Sequence, residues 1–108
     1  MKAAPRGEVW LVDLGLAAKV RPCLVLSVPA SEADRALVTL VPHTTSVRGT
    51  RFEAATGVRY LKPGAFDAQG VVTVPVVRLV RRLESLTEQQ LADVEAVVLA
   101  WLGMRPSA

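Results

Sequence analysis

The feature that most limits the fold of this sequence is a series of short apolar runs, rich in β-branched residues and closed by proline or glycine. The first three runs cover residues 8–14, 23–28 and 36–41. Each has the length of a β-strand and lacks the 3.6-residue alternation of an exposed helix, so each is predicted to be a strand. Proline is tolerated best where a strand ends, which agrees with Pro22 and Pro42 beside these runs.

Three further segments are predicted to complete the sheet. They cover residues 50–54, 70–77 and 81–85. Pro75 interrupts the second of these segments and indicates an edge strand or a bulge. Lys62-Pro63-Gly64 is typical of a turn. Residues 57–60 are compatible with either a strand or a loop.

The last part of the chain changes to a helical period. Thr87 and Gln90 have the spacing of a capping box, and Leu86 and Leu91 have that of a hydrophobic staple. Gly103 is suited to end the helix. One predicted face is apolar: Leu91, Val94, Val98, Trp101 and Leu102. Several strands followed by one helix, over about residues 87–102, predict a mostly β fold in which the helix covers a small sheet or barrel.

Composition excludes several classes of protein. With 108 residues, 51% of them hydrophobic, the chain is expected to form a single domain over residues 1–108 and not to be disordered. Cys23 is the only cysteine and His43 the only histidine, which excludes an internal disulfide and a cysteine-based zinc site. No metal or cofactor is expected. Neither a signal peptide nor a membrane-spanning run is found in the sequence, so a cytoplasmic protein is expected.

Charge is unevenly divided along the chain. Residues 1–82 contain 12 Lys and Arg against 6 Asp and Glu, and residues 83–108 contain one Arg against 4 Asp and Glu. The first part therefore carries +6 and the second −3, which sum to +3. Most of the basic residues are arginines, and guanidinium groups bind phosphate through paired hydrogen bonds. Two explanations of the arginine-rich composition stay open: an anionic partner, or a genome that favours arginine codons.

Polar residues lie next to the prolines that bound two of the predicted strands. Arg21 precedes Pro22, and a longer group follows Pro42: His43, Thr44, Thr45, Ser46, Arg48 and Arg51. Guanidinium and hydroxyl groups together can hold a phosphate and stabilise charge that builds on it. The alternative is that the Thr-Thr-Ser sequence forms a hydroxyl-capped turn and does not belong to a phosphate-binding site. Cys23 is interpreted as a buried, unreactive thiol and not as the partner of His43 in a catalytic dyad.

At these residues the sequence resembles the MazF/PemK (Kid) toxins. Residues 6–14 are similar to the opening strand of that family, and residues 20–27 to its Arg-Pro-x-Leu-Val-Leu-Ser strand. Residues 41–46, with Gly49 and Phe52-Glu53, are similar to its Pro-x-Thr-Ser…Gly…Phe-Glu segment. Residues 70–83 are similar to its Val-x-x-Asp-Gln-Val-Arg-Ser strand and the Arg-Leu that follows. The resemblance covers about residues 6–103 with the motifs in the family's order.

The resemblance implies a small SH3-like β-barrel that forms a homodimer and is the toxin of a type II toxin–antitoxin pair. It implies a sequence-specific, metal-independent endoribonuclease that cuts single-stranded RNA by attack of the substrate's own 2′-hydroxyl, leaving a 2′,3′-cyclic phosphate. Arg21 matches the family's catalytic arginine and Thr44 its phosphate-binding threonine. The candidate RNA contacts are Thr45, Ser46, Arg48, Arg51 and Arg78.

Two departures from the family pattern bear on the chemistry. The loop from Gly15 to Val20 is short, whereas family members usually have a longer loop that helps to grip RNA. Pro75 stands where some members use an acidic residue, because Pro75-Val76-Val77-Arg78 replaces Asp-Gln-Val-Arg. Arginine holds its proton too firmly to act as a base. His43 titrates near neutrality and is the candidate proton acceptor, with a structural role as the alternative.

Two other functions stay open at this point. A gyrase poison of the CcdB kind would have the same fold but would bind a protein, and a non-catalytic module would bind RNA or a partner without cutting. The presence of Arg21 and Thr44 at the ribonuclease positions favours the enzyme.

Overall fold

Antiparallel β-structure followed by one helix makes up the fold. The structure, a computed structural model, describes residues 4–15 and 19–105. The strands are β1 (Glu8–Asp13), β2 (Val20–Val25), β3 (Leu37–Thr44), β4 (Glu53–Ala54), β5 (Ala65–Asp67), β6 (Val72–Pro75) and β7 (Leu79–Ser85), and the helix is α1 (Glu88–Leu102). Two 3₁₀ turns, Ala68–Gly70 and Val76–Arg78, flank β6. Residues 16–18 of the short loop between β1 and β2, and Pro106, lie outside the described residues.

Strand β3 organises the sheet because it pairs with three different strands along its length. The order is β4-β5-β3-β2-β1-β7, with β6 attached to the first half of β3. The predicted mostly β fold with one C-terminal helix is confirmed. The pairing path ends at β4 and β7, so in the described residues the sheet is open and does not close into a complete barrel.

The prolines that were expected to bound two strands lie inside them. In β2, Pro22 pairs with Leu11 of β1, and the ladder with β3 starts only at Cys23. Pro22 therefore has one neighbouring strand, and its missing N–H costs little. In β3, Pro42 is the last residue paired with β2, and β5 pairs with the residues that follow. Arg21 and Thr44 are thus strand residues and not loop residues, a correction to the sequence-based boundaries.

The remaining strands differ from prediction mainly in length. The segment predicted over residues 50–54 is a strand only at Glu53–Ala54, and the one predicted over 70–77 only at Val72–Pro75. Strand β7 begins earlier than predicted, at Leu79. Strand β5 was not predicted, because three residues are too short to show a period. Residues 57–60 are not in a strand.

Helix α1 follows the prediction at both ends. The Thr87 Oγ1 accepts a hydrogen bond from the Gln90 N–H at 3.2 Å, and the Gln90 Oε1 accepts from the Thr87 N–H at 2.9 Å, which completes the capping box. Gly103 ends the helix with a left-handed backbone, φ 68°. The apolar face is shorter than predicted. Val94 and Val98 are buried, but Trp101 and Leu102 are 41% and 50% exposed.

Apolar side chains pack on both faces of the sheet. One cluster joins α1 to the sheet through residues such as Leu24, Phe66 and Val94. The other contains Cys23, whose side chain is fully buried. Burial raises the pKa of the Cys23 thiol to about 12, which supports its interpretation as unreactive. Within residues 4–15 and 19–105, the structure contains no helix that is long and apolar enough to cross a membrane.

Candidate functional site

The ends of β2 and β3 bring Arg21 and Thr44 together. The antiparallel register pairs Cys23 with Pro42. Continued by two residues, this register places Arg21 opposite Thr44. Side chains two residues apart on a strand share a face, so Arg21 and Thr44 lie on one face of the sheet at its end. The Thr44 hydroxyl accepts a hydrogen bond from the Ser46 N–H at 3.0 Å, which leaves its own proton to donate.

A first cavity of about 510 Å³ opens on one side of this strand end. Leu11 and Pro22, which are register partners, form part of its wall, and Arg81 of β7 pairs with Leu11 from the other side. The lining residues are Leu11, Arg21, Pro22, His43, Thr44, Thr45, Ser46, Tyr60, Leu61, Lys62, Arg81 and Leu83. This first cavity therefore combines an apolar wall with cationic side chains.

A second cavity of about 410 Å³ lies next to the first. Its lining is more polar and includes carboxylates: Arg21, Pro42, Thr44, Ser46, Arg48, Thr50, Glu53, Asp67 and Gln69. Arg21, Thr44 and Ser46 line both cavities. We call these three residues the shared rim. A chain molecule that follows the two cavities must pass over this rim.

His43 is buried in the wall of the first cavity. Its side chain is only 6% exposed, and its ring meets the edge of the Phe66 ring at a centroid distance of 5.1 Å. Burial lowers the pKa of His43 from its usual 6.5 because charge is disfavoured away from water. The imidazole is therefore neutral at neutral pH and can accept a proton. Strand alternation places it on the opposite face of β3 from Thr44.

Glu53 holds the loop that carries Arg48. Its carboxylate accepts hydrogen bonds from the backbone N–H of Arg48, at 3.1 and 3.2 Å, and of Thr50, at 2.9 Å. These bonds lower the pKa of Glu53. The sequence contains a signal for this arrangement, since Thr50 and Glu53 have the Thr-x-x-Glu spacing in which a carboxylate returns to the backbone.

Two predicted RNA contacts do not line either of these cavities. The Arg51 guanidinium lies over the Phe52 ring, 4.5 Å from its centroid. The Arg78 Nη1 lies 3.6 Å from the Asp13 Oδ2. The structure brings together the other predicted site residues: Arg21, His43, Thr44, Thr45, Ser46 and Arg48.

The acidic position assigned to Pro75 also lies elsewhere. Pro75 pairs with Leu37, at the opposite end of β3 from Thr44. Seven residues of extended strand separate these ends by roughly 20 Å. The carboxylate that does reach the second cavity beside the shared rim belongs to Asp67, at the end of β5. Within one chain, Pro75 is therefore remote from the shared rim, and Asp67 provides a carboxylate beside it.

Several lining residues were missed in the sequence: Tyr60, Lys62, Asp67 and Gln69. They lie on the loop before β5, on β5 itself and on the following 3₁₀ turn, and only the tertiary fold brings them to the cleft. Arg81 of β7, whose place in the sequence fits either an RNA path or a solvated edge, lines the first cavity. The buried Tyr60 hydroxyl has no hydrogen-bond partner among the described residues. Within the described residues, the structure contains no cluster of three or more His, Cys, Asp or Glu side chains that could bind a metal ion.

Solved structures share this fold over nearly the whole chain. An endoribonuclease from a mycobacterial species has a TM-score of 0.81 at 25% identity, covering 99% of this chain and 98% of that chain. An endoribonuclease in complex with its cognate antitoxin, also mycobacterial, has a TM-score of 0.81 at 26% identity, with coverages of 97% and 100%. A MazE–MazF structure from Deinococcus radiodurans has a TM-score of 0.80 at 23% identity, with coverages of 97% and 100%, and is similar in fold. No curated protein matches the sequence.

The family is established by the sequence as well as by the fold. Residues 5–102 match the sequence profile of the PemK-like, MazF-like toxins of type II toxin–antitoxin systems. The match includes every strand and the helix. The chain therefore belongs to the PemK-like, MazF-like toxin family.

Proposed function

We propose that this protein is a cytoplasmic toxin that cuts single-stranded RNA at specific sequences without a metal ion or other cofactor. The observation that carries the proposal is the position of Arg21 and Thr44 on the rim shared by two cavities. A guanidinium and a hydroxyl donor at one point can stabilise the charge that develops on a phosphate during cleavage. Similarity to structures named as endoribonucleases supports this function.

In the proposed reaction, the RNA supplies the nucleophile. The 2′-oxygen attacks the adjacent phosphorus, a bond forms between phosphorus and the 2′-oxygen, and the bond to the 5′-oxygen of the next nucleotide breaks. The products are a 2′,3′-cyclic phosphate and a 5′-hydroxyl end. Arg21 neutralises the charge of the phosphorane, and the Thr44 hydroxyl donates a hydrogen bond to a non-bridging oxygen. One such donor contributes about 3 kcal/mol to transition-state stabilisation.

His43 is the proposed acceptor of the 2′-hydroxyl proton. It lines the first cavity, and burial keeps its imidazole neutral. Water supplies the proton that the departing 5′-oxygen requires. Because His43 is in the first cavity, the nucleotide that carries the attacking 2′-hydroxyl occupies that cavity, and the next nucleotide enters the second. DNA lacks the 2′-hydroxyl and is not cut.

The side chains around the rim provide the proposed RNA contacts. Lys62 and Arg81 line the first cavity, and Arg48 lines the second. Thr45 and Ser46 supply polar groups at the rim. Arg51 and Arg78 lie outside both cavities, so we expect them to contact only RNA that extends beyond the two nucleotides at the cut.

The proposal includes an antitoxin partner and a homodimer. A similar endoribonuclease has been solved with its cognate antitoxin, which supports a protein partner for this toxin. Two valines, Val77 in the second 3₁₀ turn and Val80 in β7, are 79% and 53% exposed. Exposed apolar side chains of this kind favour association with a second chain.

The proposal is tested by incubating the purified protein with single-stranded RNAs of varied sequence in EDTA. We expect cleavage that leaves cyclic phosphates, and a loss of at least about tenfold in kcat/KM for Arg21→Ala and for Thr44→Ala. Arg35→Ala is the matched control, because Arg35 is exposed near the opposite end of β3. RNA that stays intact with every sequence would refute the ribonuclease, and unchanged rates in both variants would mean that the site lies elsewhere.

A further inference from the structure

The second cavity has the properties of a base-recognition subsite. We propose that it selects a base with an exocyclic amino group at the nucleotide directly 3′ of the cut, and that Asp67 is the residue that makes the selection. This proposal rests on the ribonuclease function and on the position of His43 in the first cavity. It adds the residue that determines part of the cleavage sequence.

The two carboxylates of this cavity differ in what their oxygens already bind. Glu53 accepts hydrogen bonds from the backbone of its own loop with both oxygens. In the described parts of the chain, Asp67 accepts a single hydrogen bond, from the Gln69 N–H to Oδ1 at 3.0 Å. The Asp67 Oδ2 is therefore the carboxylate oxygen that remains to accept a hydrogen bond from a ligand.

Gly70 leaves room for the Asp67 carboxylate in this position. A Cβ at residue 70 would lie 3.0 Å from the Asp67 Oδ2 and 3.0 Å from the Pro42 Cγ. Pro42 and Asp67 both line the cavity, so the carboxylate lies against its wall beside the shared rim. A side chain at residue 70 would require the Asp67 Oδ2 or the Pro42 ring to shift by a few tenths of an ångström.

The charge of the cavity determines which part of a nucleotide enters it. The formal charges of Arg21 and Arg48 cancel those of Glu53 and Asp67 in the second cavity, whereas the first cavity carries Arg21, Lys62 and Arg81 and, among the described residues, no carboxylate. The phosphate is therefore attracted to the rim and the first cavity, and the base enters the second. A volume of about 410 Å³ is large enough for a nucleobase. Gln69 adds one donor group and one acceptor group to the lining.

An ionised carboxylate accepts hydrogen bonds and donates none. Adenine, cytosine and guanine each carry an exocyclic amino group that can donate to the Asp67 Oδ2. Uracil carries no amino group: its pairing edge has one donor, the N3–H, between two carbonyl oxygens that a carboxylate repels. Hydrogen bonds to base edges discriminate between bases, because a base that lacks the donor leaves the acceptor unpaired. We therefore expect uracil to be rejected at the position that the second cavity holds.

The experiment uses RNA oligonucleotides that are cut once and that differ only in the nucleotide directly 3′ of the cut. For the unaltered protein, kcat/KM with uracil should be at least about tenfold below that with the best amino-bearing base. Asp67→Asn keeps an oxygen to accept from the Gln69 N–H and adds an amide donor for uracil, so the difference should fall to about threefold or less. Asp93→Asn on α1 is the matched control, and it should keep the original preference.

Two results would overturn the subsite: an unchanged preference in Asp67→Asn, or a change at a nucleotide other than the one 3′ of the cut. Gly70→Ala provides a second variant, because its methyl crowds the same oxygen and should also weaken the rejection of uracil. If no RNA is cut, the ribonuclease is refuted separately. The binding of the same oligonucleotides, measured by fluorescence anisotropy, then decides whether Asp67 discriminates between bases.

Discussion

The protonation of His43 matters for the chemistry proposed for the first cavity. Burial lowers its pKa from 6.5, so the folded protein holds the imidazole neutral at pH values where an exposed histidine would begin to charge. The unfolded chain binds more protons than the folded one in the range just below pH 6.5. The free energy of unfolding therefore decreases as the pH falls through this range.

We predict that RNA cleavage is lost at acid pH with an apparent pKa below 6.5. The reason is that protonated His43 cannot accept the 2′-hydroxyl proton. A profile of kcat/KM from about pH 5 to about pH 8 on one RNA measures this. In His43→Ala the rate should be lower and the acid limb absent. A variant that keeps the same acid limb would show that His43 has a structural role only.

At the residue scale, the sequence identifies the polar residues of β2 and β3 that meet, but not the residues that only the tertiary fold brings near them. Arg21 and Thr44 were predicted from their residue types and from the family motifs, and the register brings them together. Pro75, which stands at the family's acidic position, pairs with the end of β3 remote from Thr44 within the same chain. Asp67 could not be identified from the sequence, since its nearness to Arg21 arises only when β5 pairs with β3.

Among the elements, β3 determines the shape of the cleft because its last two residues change partners. His43 pairs with Phe66 and Thr44 with Ala65, both on β5. The residue before β5 is Gly64, which packs against this strand end. A Cβ on Gly64 would lie 2.2 Å from the Thr44 carbonyl oxygen and 2.7 Å from the His43 Cε1. Neither the backbone atom nor the buried ring can move without disturbing the cleft.

We predict that Gly64→Ala destabilises the protein by at least about 2 kcal/mol, because the added methyl overpacks the end of β3. Urea denaturation followed by circular dichroism measures the change. Gly57→Ala, in the same loop, is the matched control: a Cβ there meets nothing within 4 Å, and its stability should be close to that of the unaltered protein. Equal stabilities of the two variants would mean that the loop adapts to the methyl.

Local signals explain which elements were predicted well. The start and end of α1 follow from Thr87, Gln90 and Gly103, because capping uses contacts within a few residues of sequence. The ends of β2 and β3 were not predicted, because whether a proline ends a strand depends on how many neighbouring strands need its N–H. The number of neighbouring strands is a property of the whole sheet. Pro22 and Pro42 both lie at the end of the pairing between β2 and β3.

For the molecule as a whole, the distribution of ion pairs matters more than the net charge. In the described residues, ion pairs involve Arg6, Arg59, Arg78 and Arg82. These arginines do not line the two cavities that meet at the shared rim. The cations that do are Arg21, Arg48, Lys62 and Arg81. The arginine-rich composition therefore supplies ion pairs away from the cavities as well as cationic side chains that line them.

We predict that RNA affinity decreases steeply with salt, because each phosphate that is neutralised releases counterions. For single-stranded RNA, each phosphate contact lowers the slope of log K, the association constant, against log salt concentration by about 0.7. Four cations that each contact one phosphate therefore give a slope of about −3. Fluorescence anisotropy from about 50 to about 200 mM salt measures it. Arg81→Ala should make the slope shallower by about 0.7, whereas Arg35→Ala, remote from both cavities, should leave it unchanged. Equal slopes in the two variants would place the RNA away from the first cavity.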